Sequence, residues 1–170
     1  DFSPMAYVTR DWGASWTVFD TPIPGGEGAG LFSVSFRDSL TGAIFGGSLA
    51  PPDQTDGADD EATPDVAGHT PATPRRVAIS RDGGVSWDAT GQPAFAGPIF
   101  GGAWIPGSEP AAMVTVAPTG AAWSIDEGTT WLAVDTASYW GLGFASPDAG
   151  WLVGPGGRIT KMSIRQASAH

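Results

Sequence analysis

One pattern recurs three times in this chain and limits what it can fold into. It reads Thr9-Arg-Asp11-Trp-Gly13-Ala-Ser15-Trp16, then Ser80-Arg-Asp82-Gly-Gly84-Val-Ser86-Trp87, then Ser124-Ile-Asp126-Glu-Gly128-Thr-Thr130-Trp131. Five constrained positions, Ser/Thr-x-Asp-x-Gly-x-Ser/Thr-Trp, repeat in register, the signature of a repeat architecture. The second and third aspartates are 44 residues apart and the first two are 71 apart, which leaves 27 extra residues. The stretch 51–74, rich in Asp, Pro, Ala and Thr, is the insertion that accounts for them.

The motif has the chemistry of a tight hairpin turn. Ser or Thr closes one strand, and the Asp carboxylate accepts backbone N–H groups of the turn. Gly supplies the positive φ of the return. Trp opens the next strand and covers the turn with a large ring. The remainder of each period reads as strands, with no sustained helical periodicity. Residues 31–36, 99–104 and 139–144 align as a first strand rich in small residues. Residues 42–45, 112–116 and 150–153 align as a second, and 76–80, 121–124 and 158–161 as a third. A fourth strand leaves each motif from its Trp.

Four antiparallel strands in roughly 40–50 residues correspond to one β-propeller blade. The expected fold is therefore all-β, with about three blades of four strands. Residues 1–22 end one blade, 31–91 form a blade with the acidic insertion, 96–136 form another, and 139–165 form an unfinished last one. Because a closed ring takes about four to eight blades, the reading is the C-terminal half of a ring of roughly six or seven. Its terminal blades are expected to lack strands and to be paired by another chain or a further segment. Because it begins at Asp1 rather than Met, the chain is expected to be a mature or trimmed product.

Composition removes several function classes. Eighteen acids against eight bases give a formal net charge of −10. That opposes binding to nucleic acid, which relies on Lys and Arg at phosphates, and adsorption to anionic lipid. No cysteine is present, so disulfides, thiolate nucleophiles and Cys-ligated zinc are excluded. No apolar stretch is long enough to span a bilayer as a helix. The residues leave the compartment open, with an exported, periplasmic one favoured.

The repeated pattern is that of the Asp-box (BNR) repeat found in sialidases, sortilins and other propellers. Phe36-Arg-Asp38 followed by Gly42 and Gly46-Gly47 adds a second resemblance, as does Phe144-Ala-Ser-Pro-Asp148 followed by Gly150-Trp-Leu-Val-Gly154-Pro-Gly-Gly157. These runs resemble the photosystem II stability/assembly factor-like propellers, whose bacterial relatives often carry the label oxidoreductase. The resemblance covers about residues 6–161 apart from the insertion. It implies a non-catalytic scaffold or stability subunit that docks on a larger, membrane-attached complex of the photosynthetic type, with no cofactor. The alternative is a sialidase-like glycosidase or glycan binder, its site completed by a further propeller half.

Each candidate site has a structural and a functional reading. Asp11, Asp82 and Asp126, with Gly13, Gly84, Gly128, Trp16, Trp87 and Trp131, read first as turn-capping groups and only second as catalytic or metal-binding ones. Sialidase chemistry needs three convergent arginines and a Tyr activated by Glu; neither Tyr7 nor Tyr139 has a Glu at a telling distance. Asp53, Asp56, Asp59, Asp60, Glu61 and Asp65 form an acidic loop without calcium-loop register. It reads as a solvated excursion or, because long insertions in compact repeats are often functional, as a partner-docking loop. His69 and His170 are too far apart to form a metal cluster. The run 154–157 lacks the following helix that a phosphate cradle needs. No catalytic residue and no metal site is assigned, and the expected partner is a protein.

Overall fold

The computed structural model describes residues 3–50 and 75–164. The insertion at 51–74, its six acids and both histidines lie outside the described residues, as does the expectation of an irregular excursion there.

The described chain is all-β, built as a succession of antiparallel sheets. The first holds β1 (Met5–Val8) and β2 (Thr17–Asp20). The second runs β3 (Ala29–Phe36), β4 (Gly42–Ser48), β5 (Val77–Ser80) and β6 (Asp88–Ala89) in sequence order. The third repeats it with β7 (Gly101–Trp104), β8 (Met113–Ala117), β9 (Gly120–Ser124) and β10 (Leu132–Asp135). The fourth holds β11 (Gly141–Ser146), β12 (Ala149–Gly154) and β13 (Arg158–Met162). The run Pro155–Gly157 is a single 3₁₀ turn that leads into a strand.

Two details differ from the sequence reading. The motif Trp does not open its strand; pairing starts one residue later, at Thr17, Asp88 and Leu132. In the first two motifs the Trp ring folds back over the motif glycine, 3.7 Å from where a Gly13 Cβ would be and 3.5 Å from that of Gly84. Second, residues 99–100 and 139–140 precede their strands rather than begin them. The N–H of Ile99 donates to the Gly46 carbonyl and that of Tyr139 to the Ala117 carbonyl, so each lead-in is hooked to the previous sheet.

Strand register makes the sheets superimposable in sequence. Phe36, Trp104 and Phe144 pair with Gly42, Met113 and Gly150 respectively. Alternation along each strand then assigns two faces. In the second sheet Ala43, Phe45, Val77 and Ile79 turn toward the third, where Trp104 and Met113 complete one core cluster. In the third sheet Val116 and Ala121 turn toward the fourth, where Tyr139 and Leu152 complete another. Each fully buried Val, Ile or Phe of this kind contributes about 1.5–3 kcal/mol.

Small residues on the first strands let the sheets approach. The Phe45 ring lies where a Cβ on Gly102 would be, only 2.3 Å away. Beside it, the Ser33 hydroxyl donates to the Gly102 carbonyl and accepts its N–H, both at 3.2 Å, while Ser35 accepts the N–H of Trp104 at 3.1 Å. Side chains of β3 thus satisfy the outward backbone groups of β7, which is an edge strand of its own sheet.

Gly102→Ala is expected to lower unfolding stability by about 1–3 kcal/mol, because neither Phe45 nor the β7 backbone has room to retreat. Gly30→Ala, where a Cβ meets nothing within 4 Å, is expected to leave the urea midpoint unchanged or slightly raised. Equal midpoints for the two variants would contradict this account of the inter-sheet contact.

Candidate functional site

The three motif turns are the most distinctive chemistry in the described chain, and their geometry is nearly identical. In the second, the Ser80 hydroxyl donates to Asp82 Oδ1 at 2.9 Å while accepting the Gly84 N–H at 2.8 Å. Asp82 Oδ1 also accepts the N–H groups of Val85 and Ser86, and Oδ2 accepts the Ser86 hydroxyl at 2.6 Å. Thr9, Asp11, Gly13 and Ser15 repeat the arrangement, with 2.8 Å from Gly13 N to the Thr9 hydroxyl and 2.6 Å from the Ser15 hydroxyl to Asp11. Ser124, Asp126, Gly128 and Thr130 repeat it again, at 2.9 and 2.6 Å.

Two consecutive residues of each turn adopt the left-handed region: Trp12 and Gly13, Gly83 and Gly84, Glu127 and Gly128. The sequence pattern showed the need at the second position only. The carboxylates face inward to donors, and this lowers their pKa. The hydroxyl of Ser86, then its N–H, holds Asp82 at about 2, and Ser15 does the same for Asp11. Thr130 lowers Asp126 by the same route. Groups this well supplied with donors stay anionic and have little basicity to offer a substrate.

Two of the arginines share one carboxylate, and Arg76 and Arg158 are engaged elsewhere. Arg81 donates to Glu127 at 2.6 Å, and Arg37 reaches the other oxygen of the same carboxylate at 3.4 Å. Glu127 sits on the third motif turn, so this pair ties the second sheet to the third. Arg37 also lies over the Trp104 ring, 5.0 Å from its centroid. Arg76 is buried and donates to the carbonyls of Pro93, Phe95 and Gly97, holding the connection between β6 and β7. Arg158 stacks on Tyr139, whose hydroxyl donates to Asp135 at 2.7 Å. Among the described residues no group of three His, Cys, Asp or Glu side chains converges to hold a metal ion. No helix among them is long and apolar enough to cross a membrane.

What distinguishes the three turns is the residue preceding the motif glycine. Gly83 is covered, with the Ser39 carbonyl 3.1 Å from its would-be Cβ, and Glu127 is tied down by the two arginines. Trp12 is fully exposed, at 103% of its reference area, with φ at 59°. The largest side chain thus occupies the backbone conformation least suited to it and projects into solvent. Trp16 beside it is also exposed, whereas Trp131 donates its ring N–H to the Gly91 carbonyl, in the connection that follows β6. No spacing in the sequence separated Trp12 from its counterparts; only the pairing of Glu127 and the cover over Gly83 show the difference.

No family model matches the chain, and no curated protein matches it.

Two outcomes check the role of the turns. Ser80→Ala strands the buried Gly84 N–H and is expected to cost about 1–3 kcal/mol in urea unfolding. Folding lowers the Asp11 and Asp82 carboxyls below their ordinary 3.8, so their contribution is complete above that value and disappears as the pH falls toward 2. The melting temperature is expected to drop between about pH 4 and pH 2, and the drop should be smaller in Asp82→Asn.

Proposed function

We propose that the chain is an arc of an Asp-box β-propeller and that it works without catalysis, as a docking or assembly scaffold on a larger protein complex. Successive sheets of up to four antiparallel strands, with β3, β7 and β11 in contact along one side, support the propeller reading. The blades are then the sheets, and the small residues of their first strands face the ring axis. The likeness to photosystem II assembly-factor propellers argues for a membrane-attached, photosynthetic-type complex as the partner.

One observation carries the docking half of this reading: the fully exposed, left-handed Trp12. Backbone strain of this kind costs roughly 1–3 kcal/mol, and the ring gains no burial within the chain to offset it. Tryptophan, with Tyr and Arg, is enriched among the side chains that dominate binding energy at protein interfaces. A rigid turn loses little conformational freedom on binding, so it presents this ring at low entropic cost. The motif carboxylates, saturated by their own turn, serve to hold that presentation.

The protein is expected to co-purify from membranes of its source with a protein complex under mild detergent. Trp12→Ala should reduce recovery of the partner roughly tenfold or more while leaving the circular dichroism unchanged. A protein that emerges alone and hydrolyses sialosides at enzymatic rates overturns the reading.

A further inference from the structure

In the second and third motif turns, the residue just before the motif glycine is met by an arginine from the turn before. Arg10, the second residue of the first motif, reaches forward until its guanidinium lies 3.9 Å from where a Cβ on Gly83 would be. Arg81, the second residue of the second motif, reaches forward in the same way and donates to Glu127 at 2.6 Å. Both contacts set the second residue of one turn against the fourth residue of the next.

Trp12 is the fourth residue of the first turn. Its φ of 59° matches the 55° of Glu127, and the two turns share their internal hydrogen bonds. The Trp12 side chain therefore leaves its turn in the direction that carries Glu127 to Arg81. Arg10 does not cover the ring, because that side chain extends forward to Gly83 and the indole is fully exposed.

A guanidinium suits this ring. It is planar, delocalised and weakly hydrated, so it stacks on an aromatic face and is attracted by the ring quadrupole, most strongly for Trp. The chain makes such a pair elsewhere, with Arg37 over the Trp104 ring at 5.0 Å. The neighbouring Asp11 carboxylate and the net charge of −10 also draw a cationic surface toward this turn. A second copy of the chain does not offer the cation by the same route, since its third motif carries Ile125 where the first two carry Arg10 and Arg81.

We infer that Trp12 is the receiving half of an arginine clasp, and that the protein partner presents an arginine on a turn, with its guanidinium stacked on the indole. This rests on the docking role proposed for Trp12 and narrows the partner's chemistry to a basic side chain rather than an apolar pocket.

Two measurements test it. The first uses Arg81 as the probe within the chain: Glu127→Trp places the same ring, in the same left-handed conformation, opposite that arginine. Adding Arg81→Gln is expected to raise the unfolding equilibrium constant about two- to fivefold more in the Glu127→Trp background than beside Glu127→Ala. The contact of Arg81 with Asp88, at 3.9 Å, is common to both backgrounds and cancels. Equal effects in the two backgrounds overturn the inference.

The second measurement, which also decides the matter should Glu127→Trp unfold, is recovery of the partner from membranes of the source. Trp12→Glu copies the pairing at Glu127 and is expected to keep recovery within about threefold of the wild type. Trp12→Arg repels the cation and Trp12→Leu lacks a ring, so both should lose about tenfold or more, as Trp12→Ala does. Circular dichroism should be unchanged in all of them. Better recovery with Trp12→Leu than with Trp12→Glu overturns the arginine clasp and leaves the docking role standing. Recovery that is indifferent to Trp12→Ala removes the docking role, and the clasp with it.

Discussion

The hydrogen bond from Ser80 to Asp82, with the Gly84 N–H bound behind it, is the interaction on which the architecture turns. A hydroxyl that donates to a carboxylate and accepts from the backbone at once locks both ends of a short loop. The carboxylate in turn reaches forward to the N–H and hydroxyl of residue 86, so the whole return is determined by two small polar side chains. Three such returns set the hairpins β1–β2, β5–β6 and β9–β10. They also fix where Glu127 meets Arg37 and Arg81, and so join neighbouring sheets as well as neighbouring strands.

A second constraint is volume. Phe45 fills the space that Gly102 leaves, and Leu142 reaches the bare backbone of Gly101. The small residues of β7 thus admit a large side chain from each neighbouring sheet, Phe45 from β4 on one side and Leu142 from β11 on the other. The chemical consequence is that the inner strands carry no ionisable side chain to work with. Chemistry in this molecule is displaced to turns and outward faces.

Much of this was legible in the sequence, because the motif encodes its own turn. Asp11, Asp82 and Asp126 accept the turn hydrogen bonds that their neighbours suggested, and the strands begin and end within about three residues of where small and β-branched runs placed them. The exception is the motif Trp, which stands just ahead of its strand rather than opening it, a one-residue difference that no propensity reveals. The pairing of Glu127 with two arginines was not legible, since the partners are 90 and 46 residues away and neither spacing has a pattern. Trp12 escaped notice for a related reason. Its oddity is relative, visible only when the environments of Gly83 and Glu127 are compared with its own.

The serine hydroxyls on β3 have a further meaning. Edge strands invite other chains to add to them, because their outward N–H and C=O groups stand open. Ser33 and Ser35 close that opening on β7 with side chains alone, needing no strand to lie alongside. On β7 itself, Gly101 and Ala103 occupy the equivalent positions and offer no hydroxyl to β11. The protection against strand addition is therefore uneven along the molecule: sealed between the second and third sheets, and left to apolar packing between the third and fourth.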